Sequence, residues 1–566
     1  MRLILPAITL FLAACASGQP PEPAAISAGE PATVFTGGTI YTGNPDQPVA
    51  GAVWVDGTGR IMRVEPPGAV ISGDPDASGG DRDAHDGDPG VTVIDLHGAV
   101  MFPGFTDAHA HLLGIGQREL TLNLEGTASV ADLVTRIAAE VPGKAPGALI
   151  YGRGWIETGW PEGRMPMAAD LDAVAPVNPV ILVRADGHAL VANSAALAAA
   201  GVTDTTADPD GGRIERGADG HATGMLIDNA MSLVAPLMET PDAAAKAHAL
   251  ETGAAVYVSR GWTGVHNMSV GPDEAPIMAA LAGEGKLPLR LWNAFEPDGF
   301  DLAAKHEYET PTITNRAIKL YMDGALGSRG AQLIEPYSDR PETSGLSLIT
   351  DEDLADYMRR ADAAGIQIAI HAIGDLANRR ILDVYEAGGY GKNKRWRIEH
   401  AQIIAPSDIP RVGALGLIAS MQPSHAIGDL HFAPARLGLD RLAGAYAWKS
   451  LLDSGAVVAG GSDAPVEVGS PLIEFYAAVA RKDLKGFSGE GWHPEQALSR
   501  DEALALFTSA AAYATFREND LGTIAPGKLA DFTVFDTDLM TVPEADILKA
   551  KAVMTVVGGS IVYAAD

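Results

Sequence analysis

Eight short apolar segments, most of them followed by a stretch of helical period, leave this chain few folds to choose from. They are AVMFPGFTDAHAH, GVHNM, LPLRLWNAF, AIKLYMDG, IQIAIHAIGD, RWRIEHAQ, LIASMQPSH and VVAGGSDAP, in that order. Between them lie sequences such as TDEDLADYMRRADAAG, with apolar residues three and four apart. Strands that alternate with helices build a parallel sheet. Eight such units predict an α/β chain folded as a (β/α)8 TIM barrel, with its chemistry at the carboxyl ends of the strands. The first spacing breaks the rhythm, because roughly 150 residues separate His111 from Gly264. An inserted subdomain is expected there, around residues 120–250, containing VNPVILVRADGHALVANSAAL.

The two ends of the chain read differently from its middle. ATVFTGGTIYTG and GAVWVDGTGRIMRVEP alternate apolar and polar residues around glycines, as do ADFTVFDTD and AVMTVVGGSIVYAAD at the other end. Residues 33–98 and 520–566 are therefore expected to form one small β-sandwich domain, and 99–519 the barrel. SGDPDASGGDRDAHDGDPG, from Ser72 to Gly90, has the composition of a disordered surface loop, with His85 in solvent. The first residues, MRLILPAITLFLAACASGQ, place Arg2 before an apolar run from Leu3 to Leu12 that is too short to span a bilayer. That is the pattern of a signal peptide. Cys15, after Leu12-Ala13-Ala14, resembles the lipidated cysteine of a bacterial lipobox. Residues 1–15 then read as a lipoprotein signal, 16–32 as a Pro/Ala/Ser tether, and the mature chain as exported, lipid-anchored to a membrane and facing the periplasm. An ordinary cleaved signal with an incidental cysteine is the plainer alternative. A single cysteine excludes an intrachain disulfide and a thiolate cluster. The formal charge of −31 argues against a nucleic-acid partner, since no basic stripe exists to neutralise phosphates. Oligomeric state is open, a homodimer being the commonest assembly.

Polar residues collect where the strands end. His109 and His111 lie on the first, Lys319 on the fourth, His371 on the fifth, His400 on the sixth and Asp463 on the eighth. The two histidines of HAH project to one side of a strand, so both can face one ion. Alone they could be two incidental surface residues; with the other four they make a metal-site composition. Lys319 in KLYMDGALGSRG is the odd member. Buried beside positive charge it would become a neutral amine, able to add carbon dioxide and form a carbamate. The plainer role is a pair with Asp323.

These motifs, with GRGWIETGW, DGHALVANSAAL, RIEHAQ, MQPSHAIGD, GSDAPVE and LGTIAPGKLADFTVFD, resemble the amidohydrolase superfamily, in particular its YtcJ-like branch, amidohydrolase family 3, over nearly the whole chain after residue 32. The resemblance implies two divalent metal ions, zinc by default, although Mn, Fe, Co and Ni suit the same ligands. His109, His111 and Asp463 would hold the first, His371 and His400 the second, and Lys319, carboxylated on Nζ, would bridge them. It implies a hydrolase of carbon–nitrogen bonds other than peptide bonds, amides above all, acting on a small molecule. Hydroxide activated by the metals would attack a polarised carbonyl, with Asp463 as general acid and base. His188 and His425 are candidate donors to the developing oxyanion, and Asp186, Asp323, Trp155 and Trp160 candidate substrate contacts. Each has a structural alternative, the tryptophans as core residues most of all. Two rival functions stay open: a one-metal aminohydrolase that deaminates a heterocycle, and a surface lipoprotein that binds ligand without turnover.

Overall fold

The eight predicted segments pair into one parallel sheet. The structure, a computed structural model, describes residues 31–68, 91–157, 159–238, 241–489 and 492–565. The signal segment, Cys15, most of the tether, the loop from Ser72 to Gly90 and His85 lie outside the described residues. Among the described residues no helix is long and apolar enough to cross a membrane.

The barrel strands are β1 (Phe105–Ala110), β2 (Trp262–Val270), β3 (Arg290–Phe295), β4 (Ile313–Tyr321), β5 (Gln367–Ala372), β6 (Arg397–His400), β7 (Ile418–Met421) and β8 (Val457–Gly460). They lie side by side in chain order, and every pairing is parallel. Every residue of β5, β6 and β7 is buried, as in a parallel sheet covered on both faces. The ring is drawn together just past β8: the Asp463 amide donates to the His109 carbonyl at 2.6 Å and the His111 amide to the Ala464 carbonyl at 2.8 Å. This is the barrel expected from the strand–helix rhythm.

The first predicted strand divides in two. Val100–Pro103 belongs to another sheet, and β1 starts at Phe105. Gly104 makes the junction: a Cβ there would lie 2.4 Å from Thr263 Oγ1, and its amide donates to the Asp531 carbonyl at 2.7 Å. Both ends of the chain build the two sheets beside the barrel. One runs Ile61–Glu65, Ala52–Asp56, Pro31–Thr36, Thr92–Asp95; the other runs Ser560–Ala564, Ala552–Val557, Phe532–Phe535, Val100–Pro103, Thr39–Tyr41, Val49–Ala50. Phe35, Val53 and Val55 of the first pack with Ile40, Met101, Phe532 and Val556 of the second in one apolar core.

The insertion after β1 is a mixed sheet ordered Gly212–Arg216, Ala222–Asp228, Ala189–Ala192, Val180–Arg184, Ile150–Trp155, Leu122–Asn123. Alternate residues of Val180–Arg184 enter two separate clusters: Val180 and Leu182 in one, Ile181 and Val183 in the other. The chain then returns through a helix, Ala243–Arg260, that crosses the helix Leu112–Leu120. The crossing is close because both helices present glycine: a Cβ on Gly116 would sit 1.7 Å from the Ala249 carbonyl oxygen, and one on Gly253 2.5 Å from that of Leu112. Gly116→Ala should therefore lower stability by about 3 kcal/mol, since backbone rather than a flexible side chain must yield. Denaturant unfolding measures it, and a change below about 0.5 kcal/mol would contradict the contact.

Candidate metal centre and active site

At the barrel mouth the six residues singled out at the strand ends converge. His109, Lys319, His371 and His400 are within the ends of their strands, and His111 and Asp463 lie just beyond β1 and β8. Ring centroids are 4.6 Å apart for His109–His400, 4.7 Å for His371–His400 and 5.5 Å for His109–His111. Lys319 Nζ is 3.3 Å from His109 Nε2. Two of the six hold left-handed backbone, His400 at φ 73° and Asp463 at φ 58°. Non-glycine residues in that region cluster where surrounding packing imposes the conformation, commonly at functional sites.

The hydrogen bonds fix which nitrogen faces the centre. His109 Nδ1 contacts Glu399 Oε2 at 2.6 Å, His111 Nδ1 the Met268 carbonyl at 3.2 Å, and His400 Nδ1 Gln422 Oε1 at 2.8 Å. Each partner is an acceptor, so each Nδ1 carries the proton and each Nε2 presents a lone pair inward. His111 Nε2 is 3.0 Å from Asp463 Oδ1, and His109 Nε2 is 3.4 Å from the same oxygen. Lone pairs that close repel unless a cation, a proton or a metal ion, stands between them. His371 Nε2 is buried without a hydrogen-bond partner. Two groups of three donors, His109/His111/Asp463 and His400/His425/Asp463, each fall within 4.8 Å. The residues present thus fit a metal centre. Lys319 adds to the fit: it is 1% exposed, and no carboxylate among the described residues lies within 4.0 Å of its ammonium, Asp323 included.

Electrostatics follow from burial. Desolvation is the largest influence on His109, His371 and His400 and pushes all three well below the ordinary histidine value, which leaves them neutral near pH 7. It lowers Lys319 too, against the opposing charges of Glu399, Asp463 and Glu296. Burial alone would raise the Asp463 carboxyl, but while a proton stands between it and the Nε2 atoms of His109 and His111, their charge and the His111 hydrogen bond hold it well below the usual carboxylate range.

A cavity of about 160 Å³ opens beside these ligands, lined by His371, His400 and Asp463 and by Asp186, His188 and His425. The insertion supplies Asp186 and His188. Burial would lower His188, but the hydrogen bond from its Nδ1 to Asp228, 2.7 Å, and the charges of Asp228, Asp186 and Asp323 raise it to about 9. Asp186 reaches the wall already paired with Arg184, which also holds Glu157 at 2.8 Å. His425 Nδ1 faces Gln402 Nε2 at 2.9 Å.

The structure places three of the expected substrate contacts away from the cavity lining. Trp155 and Trp160 are 0% and 5% exposed in the core of the insertion, and their indole N–H groups donate to the carbonyls of Leu182 and Thr127. They pack the insertion and do not face the cavity. Asp323 is fully buried, and its carboxylate accepts amides from Gln332, Ile373 and Gly374 at 2.7–3.0 Å. It braces the loop after β4 against the loop after β5, and burial pushes it up to about 7 in spite of those donors.

Several residues at the centre escaped the sequence reading. Glu399 orients His109 and forms an ion pair with Arg397 at 2.7 Å, both side chains at 0% exposure. Their signal was an acid and a base two apart in RIEH, hence on one face of a strand. Asp107 accepts the amides of His109 and Ser462 and the hydroxyls of Ser462 and Tyr257, which locks β1 to the loop after β8.

The family profile described as amidohydrolase family matches residues 92–563. The Bacillus subtilis (strain 168) protein that carries the name amidohydrolase YtcJ is 36% identical over 485 residues, 84% of this chain and 91% of that protein. An N-substituted formamide deformylase of Arthrobacter pascens is 30% identical, with 84% of this chain and 90% of the relative covered. A crystal structure of an uncharacterized metal-dependent hydrolase from Pyrococcus horikoshii OT3 superposes with a TM-score of 0.71 at 27% identity, over 90% of this chain and 99% of that one. The profile match, the extent of shared sequence and the shared fold place this chain in the amidohydrolase family.

Proposed function

We propose that the protein is a metal-dependent hydrolase of a carbon–nitrogen bond other than a peptide bond, an amide in a small molecule, working with two divalent cations, zinc by default. The observation that carries this reading is the pair of inward Nε2 lone pairs on His109 and His111 facing Asp463, with a further Nε2 lone pair on His400 beside them, each fixed by an acceptor on Nδ1. His109, His111 and Asp463 would hold one ion, and His371 and His400 the other. Lys319 supports a bridging carbamate: burial favours its neutral amine, the form that adds carbon dioxide with loss of one proton. Bound there, the ions would polarise the substrate carbonyl and acidify a water enough for attack near neutral pH.

The chain's own groups do the rest. Asp463, ionised at neutral pH, accepts the proton of the attacking water and returns it to the leaving nitrogen. His188, kept protonated by Asp228, presents a charged donor where negative charge develops on the carbonyl oxygen. Gln402 Nε2 donates to His425 Nδ1, which leaves the proton of a neutral His425 on Nε2, toward the cavity. Asp186, tied to Arg184, shapes the wall beside it. The amino-terminal sequence supports export and a lipid anchor at Cys15, which would put this activity at a membrane facing the periplasm.

Incubation of the metal-loaded protein with a panel of N-substituted formamides and acetamides tests the reaction class. Acid and amine should appear in equal amounts. Release of ammonia from amino-heterocycles, with the amides untouched, would move the protein to the deaminase reading.

A further inference from the structure

We propose that Glu467 forms a subsite for a positively charged group on the substrate, so that the preferred substrates carry an ammonium or similar cation beyond the scissile bond. The inference deepens the hydrolase reading above and rests on it.

The cavity wall away from the metal ligands is acidic. Glu125, Asp186, Asp429 and Glu467 line it together with Asp463; the cations among the lining residues described are Arg184 and the protonated His188, and His188 is already paired with Asp228. Arg184 has no charge to spare, being shared by Glu157 and Asp186. Each of the other carboxylates has its own partner. Glu125 pairs with Arg118 at 3.4 Å, Asp429 accepts the Tyr446 hydroxyl, and Asp463 meets His109 and His111. Glu467 is the exception. Among the described residues no donor lies within hydrogen-bond distance of its carboxylate, and the one basic group within 4.0 Å of it is His425, whose Nε2 is 3.8 Å away.

His425 gives an independent sign that something belongs in this space. Its side chain is 9% exposed, its Nε2 has no hydrogen-bond partner, and the ring lines the cavity. Such an orphan is costly unless a bound molecule completes it. The same nitrogen stands 3.7 Å from Asp463 and 3.8 Å from Glu467, so one imidazole separates the reacting centre from the unpaired carboxylate. Burial and the charges of Asp429, Asp463 and Glu125 push the Glu467 carboxyl well up, so a molecule whose carbonyl lies at the metal ligands and whose far end is cationic would supply the positive charge this carboxyl lacks and let it ionise. An anionic far end would face the carboxyl groups of Glu125, Asp186, Asp429 and Glu467 with no such gain.

Matched probes decide it: N-(5-aminopentyl)formamide, a cation at pH 7, against N-(5-hydroxypentyl)formamide, its neutral counterpart. On the metal-loaded full-length protein we measure kcat/KM from formate release and Kd by calorimetry. The cation should be favoured about tenfold or more in both, by charge attraction in a partly desolvated site. Glu467→Gln, which keeps the shape, should bring the ratio close to one. Glu467→Lys should turn the preference toward N-(4-carboxybutyl)formamide. Equal or better use of the neutral probe by wild type, or a preference that survives Glu467→Gln, would overturn the subsite. If neither probe is hydrolysed, the amide reading fails, while the two Kd ratios still decide the subsite.

Discussion

Asp463→Asn is expected to reduce turnover by about three orders of magnitude, the scale of a general acid–base group. Asparagine keeps an oxygen that can face a metal ion but has no basicity with which to take a proton. The native carboxyl is suited to the task because positive charge between it and the Nε2 atoms of His109 and His111 holds it ionised, its amide is anchored to the His109 carbonyl, and its left-handed backbone aims it across the mouth. Metal content should be measured on the same preparation. Loss of turnover with both ions retained assigns proton transfer to Asp463. Loss of turnover together with an ion makes it chiefly a ligand. Turnover within tenfold of wild type would remove Asp463 from the mechanism.

Glu399→Ala should have the largest effect on stability of any change at the centre. The side chains of Arg397 and Glu399 are fully buried and in contact at 2.7 Å, and Arg397 also donates to Ser420 Oγ and lies 2.9 Å from His266 Nδ1. Removing the acid leaves a buried guanidinium uncompensated, at a cost of about 3–5 kcal/mol. It also frees His109 Nδ1, whose partner sets the tautomer, so metal affinity should fall about 10- to 100-fold. Glu399→Gln keeps an acceptor for His109 without the charge, and should fall between. Denaturant unfolding and competition with a chelator report the two effects separately. A variant that unfolds like wild type and keeps its metal would show that this buried trio is dispensable.

Much of this was legible in the amino-acid sequence, for a physical reason. Strand and helix periods are local, and in a barrel every strand delivers its last residues to the same mouth. Finding eight segments and the polar residue at each end therefore located His109, His111, Lys319, His371, His400 and Asp463 together without any knowledge of long-range contacts. What stayed hidden depends on partners far away in the chain. Glu399 meets His109 across 290 residues, and nothing local to RIEH says that its acid faces a metal ligand. The tryptophans of GRGWIETGW fail for a different reason. A glycine- and tryptophan-rich run reads alike whether its rings line a pocket or fill a core, and the deciding contacts, the carbonyls of Leu182 and Thr127, lie about 30 residues off. Asp323 was placed near Lys319, but three backbone amides claim it first. Gly104 shows how a single residue can divide what periodicity presents as one strand.

The proposed hydrolysis depends above all on two metal ions joined through Lys319. Elemental analysis of metal per chain, on wild type and Lys319→Ala side by side, tests that most directly. About two divalent ions per wild-type chain are expected, with a lower content and loss of hydrolysis in the variant. One ion in both proteins, with hydrolysis retained by the variant, would contradict the bridged centre.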